Sequence, residues 1–352
     1  MRGLVDDLCS DACAGRAAGS AGGRAARAIV IAALREAGLD PFEQEVPACR
    51  GANVLASLPG EIDRWVLVAA HYDHLGKDGR DIYRGADDNA AAVAILVEVA
   101  RGLAQKRADG RGVVIAAFDA EEPPHFMTGA MGSMHFVQNP VVPLAKIDLM
   151  VCMDLVGHAL GGHALGGRAL GEGGAMPADV RDTMFALGAE RSAGTSDRLR
   201  ALARVEPGVV VRAADAEIIP PLSDHAAFWQ QQRPFLFLTN GRSRRYHTVE
   251  DTPAHLDYAK MAATARWLER FVRDTCARDE GAFAFHNARD DVSTLDSLLD
   301  LLGPLAAHSP EAAAGAAAAK ALRARCGADR ALPVDLHDDA ELLVMGIERA
   351  LS

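Results

Sequence analysis

Four short apolar runs, each ending in polar residues, constrain this chain more than any other feature. They are RWVLVAAH (64–71), GVVIAAFDA (112–120), DLMVCMDLV (148–156) and PFLFLTN (234–240). Unbroken runs of Val, Leu, Ile and Phe at this length are expected of strands buried on both faces. Segments of helical character separate the first three. The pattern therefore predicts an α/β chain with a mostly parallel central sheet flanked by helices on both faces. Ahead of it, RAARAIVIAALREAG (24–38) has helical apolar spacing and ends in a glycine suited to stopping a helix, and EQEVPACRGANVLASLPG reads as two further short strands.

The 352 residues are 49% hydrophobic and 24% charged, enough for a core that needs no disulfide staples. A formal net charge of -11 speaks against a nucleic-acid partner. Cys9, Cys13, Cys49, Cys152, Cys276 and Cys326 form no CxxC pair and have no structural-zinc spacing. The N-terminal MRGLVDDLCSDACAGRAAGS lacks the apolar segment of a signal peptide, and no run is long enough to span a bilayer. A cytoplasmic protein without a membrane partner is the expectation, or a secreted or periplasmic one if the chain is a processed form.

Two regions break the rhythm. GHALGGHALGGRALGEGG (157–174) repeats a short Gly-[His/Arg]-Ala-Leu-Gly unit and reads as a flexible, compositionally biased loop rather than a metal site built on His158 and His163. Beyond Gly281, DDVSTLDSLLDLLGPLAA, PEAAAGAAAAKALRARCG and DDAELLVMGIERAL predict three helices with acidic or proline starts. The expected organisation is a main domain over 1–280 and a helical C-terminal appendage over 281–352. The appendage would pack on the main domain or on a second subunit, so an oligomer formed through these helices is possible.

Chemistry collects at the strand ends. The first run finishes in HYDHLG (His71, Asp73, His74), the second in DAEEPP (Asp119, Glu121, Glu122), and the third carries Asp154. RRYHTVEDTP, with Tyr246, His247, Glu250 and Asp251, follows the fourth. In open α/β sheets, ligands bind outside the carboxyl ends of the strands. The mouth of a helix, YRGADDNAAAVAILVEVARGL (83–103), brings Asp87 toward the same edge, with Asp88 or Asn89 as the cap that follows it. One short polar residue suffices to cap that helix, and three stand there in a row. Carboxylates gathered together raise one another's pKa unless a cation neutralises them, and mixed imidazole and carboxylate donors suit zinc, with cobalt or manganese as substitutes.

The ordered set HYDHLG, GADDNA, AEE, MDLVG and YHTVEDT resembles the co-catalytic zinc aminopeptidases, a family that also holds glutamate carboxypeptidase and the glutaminyl cyclases. The resemblance covers about residues 10–275. It implies two zinc ions: His71 and Asp154 on one, Glu122 and His247 on the other, Asp87 bridging both, with a cis Asp87–Asp88 peptide bond. It also implies that Glu121 is the general base, that Asp73 orients the His71 imidazole, and that Tyr246 donates to the oxyanion unless it merely packs. In SDHAAFW (223–229), Asp224 and His225 resemble residues lining the substrate pocket, although a helix cap at Ser223 or Asp224 explains much of that stretch. The activity so implied is removal of N-terminal residues from peptides by a two-metal-activated water.

The sequence departs from the family in DNAAA (88–92) and in PPHFMTGAMGS (123–133), where Pro-Pro stops any immediate helix and His125 and His135 read as pocket or surface residues. Two other functions stay open: a glutaminyl cyclase working with one zinc, and a non-catalytic binding module that kept the fold.

Overall fold

The computed structural model describes residues 1–161, 176–279 and 281–352. Eight strands make the main sheet: β1 (Phe42–Val46), β2 (Gly51–Leu58), β3 (Ile62–His71), β6 (Arg111–Phe118), β7 (Ile147–Met153), β8 (Thr183–Leu187), β9 (Val210–Ala214) and β10 (Phe235–Thr239). A hairpin of β4 (Gly76–Asp78) and β5 (Asp81–Tyr83) stands apart. The order across the sheet is β1-β2-β6-β3-β7-β10-β8-β9. The four central strands, β6, β3, β7 and β10, run parallel, and they are the four apolar runs.

Alternation within those runs divides the core in two. Val66, Val68 and Ala70 of β3 face one side with Val113, Ile115, Leu149, Val151, Leu236 and Leu238, and there they meet Val30, Leu34, Ile95, Leu96, Trp267 and Phe271. These last come from the helices Ala21–Glu36, Ala91–Gln105 and Tyr258–Cys276. Leu67, Ala69, Val114, Ala116, Met150 and Cys152 face the other side, against Phe136, Phe228 and the leucines of the C-terminal helices. A period of two in a strand sends neighbours to opposite faces, and helices on both faces make every position apolar.

The helices Asp291–Ala306, Pro310–Arg323 and His337–Leu351 match the three expected beyond Gly281. Leu295, Leu298, Leu301 and Leu302 belong to the same apolar cluster as the second face of the sheet. The first of these helices lies along β9, the sheet's last strand: Ser297 donates to Ala213 O at 2.6 Å and Thr294 accepts from Asp215 N at 2.8 Å. An uncovered edge strand is a pairing hazard, and this helix removes it. The third helix is tied to the loop after β10, where Glu348 accepts from the Arg242 amide and guanidinium. Most of the Gly-rich repeat lies outside the described residues. Among the described residues no helix is long and apolar enough to cross a membrane, and all six cysteines are free thiols.

β8 and β9 were not legible in the sequence, since TMFAL and VVRAA are short and mixed in composition. At the end of the sheet away from the acidic strand termini, Arg111 is fully buried and donates from Nε to Asp148 Oδ2 at 2.6 Å. Its other nitrogens reach Arg278 O at 2.6 Å and Gly281 O at 2.8 Å, and Asp148 also takes Arg64. Breaking a buried, hydrogen-bonded pair strands a charge. Asp148→Ala is expected to lower unfolding stability by about 3–5 kcal/mol in a denaturant titration while leaving metal uptake at the opposite sheet edge unchanged.

Candidate metal centre

Strand register aligns the chemistry. His71 pairs with Phe118 and Met153 with Leu238, so β3, β6, β7 and β10 end together. Each then supplies its polar residues: His71 to His74, Asp119 to Glu122, Asp154, and the segment leading to His247. Three residues adopt a left-handed backbone that side chains disfavour: Ala120 (φ 59) before Glu121, Leu155 (φ 56) after Asp154, and His247 itself (φ 56). Strain of about 1–3 kcal/mol per residue is characteristic of sites where surrounding contacts over-determine the backbone.

Asp88 lies at the centre. Its Oδ1 is 3.4 Å from His71 Nε2, which is also 3.5 Å from Asp154 Oδ1. Its Oδ2 is 3.2 Å from His247 Nε2, which is also 3.2 Å from Glu122 Oε2. All these groups except His247 are nearly fully buried. The spacing is informative. Donors bound tetrahedrally to a zinc ion at about 2.0–2.1 Å lie roughly 3.3–3.5 Å from one another, whereas a hydrogen bond would draw them to about 2.7–3.0 Å. His71 Nδ1 and Nε2, His247 Nε2 and Asp154 Oδ1 have no hydrogen-bond partner. Buried polar atoms left unpaired are expensive, and most of these face the two gaps beside Asp88. The donor set fits two divalent ions with one carboxylate between them.

The bridging position therefore falls to Asp88, one residue later than expected. Asp87 is turned the other way, accepting from Gly157 N at 2.8 Å and pairing with His158 Nδ1 at 2.7 Å. Burial pushes the Asp87 carboxyl up, but His158 and the Gly157 amide outweigh it and hold it below the usual carboxylate range. The bonds to Gly157 and His158 hold Asp87 away from the cluster that Asp88 faces. The cis bond is likewise Asp88–Asn89 rather than Asp87–Asp88. Asp251 fixes the turn by accepting from Asp87 N at 2.8 Å and Asp88 N at 3.1 Å, while Arg16 spans from Tyr72 O at 2.7 Å to Asp88 O at 3.1 Å. Asn89 donates to Met153 O at 2.9 Å, tying the turn to the end of β7. His158 O in turn accepts from Asn240 at 2.7 Å and from buried Lys260 at 3.2 Å.

The other expected residues divide. Glu121 is buried with Oε2 3.8 Å from His71 Nε2; burial, with Asp154 and Glu122 adding to it against His71, raises its carboxyl well above the usual range. Asp73 accepts from Glu121 N at 3.0 Å and Glu122 N at 3.1 Å, and its Oδ1 is 3.6 Å from His71 Nδ1. Its hydrogen bonds set the glutamate pair, and the same carboxylate faces the His71 imidazole. Tyr246 stacks on His247 with centroids 3.8 Å apart. Asp224 makes no side-chain cap and is buried with Oδ1 unpartnered; burial pushes it up to about 7, against the pull of His71 and Ser133 and with Asp73 and Asp154 raising it. His225, expected to contact substrate, is instead a core residue. It is 2% exposed, stacked on Phe237 at 4.4 Å, and burial pulls it down to about 3. A histidine on the first turn of a helix that packs on the sheet points inward. His125 and His135 are half-buried and outside the cluster. Sequence reasoning missed the roles of Asp88, Arg16, Asp251 and His158, although Asp88 and Asp251 stood within quoted motifs.

Comparison with known proteins bears on the family and the fold. The sequence model of peptidase family M28 matches residues 53–272. The uncharacterized protein YfbL of Escherichia coli is 27% identical over 230 residues, 62% of this chain and 70% of that protein. The LapA aminopeptidase of Legionella pneumophila is similar in structure, with a TM-score of 0.61 and 18% identity over 80% of this chain and 73% of that one. A Zn-dependent exopeptidase from Parabacteroides distasonis gives 0.59 with 21% identity, covering 78% and 96% of the two chains. Glutaminyl cyclase from Porphyromonas gingivalis gives 0.58 with 21% identity over the same shares. At such identities the structural likenesses bear on fold alone. The sequence match spans more than half the chain and carries the assignment: this chain belongs to peptidase family M28.

Proposed function

We propose that this protein is a zinc-dependent aminopeptidase that hydrolyses N-terminal residues from peptides. The observation that carries this is Asp88, whose two oxygens face two separate donor groups at coordination spacing. His71 and Asp154 would hold one zinc, Glu122 and His247 the other, and Asp88 both. Cobalt or manganese would fit the same donors. When bound, such ions supply Lewis acidity and a water of lowered pKa.

The remaining work falls to the chain's own residues. Glu121, beside His71 and bonded through its amide to Asp73, takes the proton from the attacking water and delivers it to the leaving amine. A carboxyl raised by burial is suited to both halves of that transfer. Tyr246, braced against the His247 ring, offers its hydroxyl to the developing oxyanion. Asp224, buried with an unpartnered oxygen and raising the Glu121 carboxyl by its like charge, contributes to substrate binding.

The fold likeness to glutaminyl cyclases supports a second reading, a single-zinc acyltransferase. Metal content separates the two: about two zinc ions per chain for the peptidase and one for the cyclase. The peptidase should cleave amino-acyl p-nitroanilides, lose that activity with a chelator and regain it with zinc. No cleavage of any substrate in a broad panel by metal-loaded protein would overturn the proposal. Glu121→Gln should keep its metal while kcat falls about 10²–10⁴-fold. Asp88→Asn should lose metal and activity together, and Asp87→Asn should retain both ions; the reverse pattern would restore Asp87 as the bridge.

Metal uptake should also release protons. Without metal, burial lowers the His247 pKa but Asp88 and Glu122 hold it up at about 10, and His71 is raised well above its usual value against burial by Glu121 and Asp154. Both rings are then cationic at neutral pH and must deprotonate to coordinate. Zinc addition at pH 7 should release about two protons per chain, and affinity should weaken as pH falls. Indicator-dye titration checks this, and an absence of proton release would show that the two rings are neutral before the metal arrives.

A further inference from the structure

His74 is the one buried histidine of the cluster left without a task by this chemistry. It is 1% exposed, and its Nδ1 lies 2.7 Å from Glu122 Oε1 and 3.9 Å from Asp88 Oδ2. Its Nε2 has no hydrogen-bond partner, so Nδ1 is the nitrogen through which the ring acts on the site. The ring is held on two sides. A side chain at Gly85 would place its Cβ 2.4 Å from His74 Cγ, and the His247 ring meets it edge-on with centroids 5.9 Å apart.

His74, Asp88 and Glu122 lie close enough together to hold an ion, so two uses of Nδ1 compete. Distance decides between them. Donor pairs that share a gap in this cluster stand 3.2–3.5 Å apart, whereas His74 and Glu122 stand at 2.7 Å, a charge-assisted hydrogen bond. The contact is made to Oε1, while Oε2 is the oxygen that faces His247. Resting on the two-ion reading, we propose that His74 is a positioning residue that donates Nδ1–H to Glu122 Oε1 and so presents Oε2 alone to the second metal. The bond occupies one oxygen, fixes the carboxylate's rotation and prevents it from closing on the ion with both oxygens. Outer partners of metal ligands typically contribute 10–100-fold in affinity.

The test is zinc titration of the full chain against a fluorescent chelator, with thermal melting alongside. His74→Leu should weaken the second equivalent of zinc about 10–100-fold and leave the first within about twofold. His74→Asn places an amide N–H where Nδ1–H stood and should return the second equivalent to within about threefold of wild type. His74→Gln, whose amide reaches the Nε2 position instead, should not. Should His74→Leu fail to fold, the Asn and Gln pair still decides the matter. Equal weakening in Asn and Gln variants would make His74 a metal ligand and overturn the proposal, as would wild-type affinity in His74→Leu or His74→Gln. Wild-type protein that takes up only one zinc sinks the two-ion reading itself. Two tight zinc ions with no effect at His74 sink only this inference.

Discussion

A carboxylate buried between two imidazoles must be held in place by something other than those imidazoles, and the rest of this site follows from how Asp88 is held. Asp251 grips the amides of Asp87 and Asp88, Arg16 collects the carbonyl of Asp88, and Asn89 is pinned to the end of β7. The turn is thus fixed by backbone contacts on several sides before any side chain reaches the cluster. Only with Asp88 fixed do His71 with Asp154, and His247 with Glu122, become two separate donor groups rather than one crowded set of charges.

Crowding is the energetic problem that this arrangement sets. Asp88, Glu121, Glu122 and Asp154 are all nearly fully buried within one cluster. Among the described residues, histidines oppose their mutual repulsion, and buried ring nitrogens remain unpaired. A fold does not retain such a cluster for stability. Cations relieve both the repulsion and the orphaned nitrogens at once, which is why the geometry and the family assignment point the same way.

The appendage solves a different problem. Its first helix lies along β9, one of the two edge strands of the sheet, and its last helix grips Arg242, a few residues before Tyr246 and His247. The family match ends at residue 272, before these helices begin. Their leucines nonetheless join the cluster that packs the second face of the sheet.

Much of this was legible beforehand. The four central strands announced themselves because burial on both faces demands unbroken apolar runs, and their polar ends announced the site because parallel strands that end together deliver neighbouring chemistry. His71, Glu121, Glu122, Asp154 and His247 were legible as candidates from their motifs, and the structure brings them together. The choice between Asp87 and Asp88 needed the structure. Both are aspartates, both are buried, and what separates them is the direction in which a turn throws each side chain, which depends on Asp251 and His158 more than 70 residues away. His225 went astray for a related reason: the sequence shows a histidine beside an aspartate, and only the packing of its helix on Phe237 shows which of the two faces the cluster. Sequence by itself determined what kinds of donors this protein owns and along which edge they gather, because strand periodicity is a local property. Tertiary structure alone decided which donor points where, because side-chain direction in turns and first helical residues is set by contacts between segments distant in the chain.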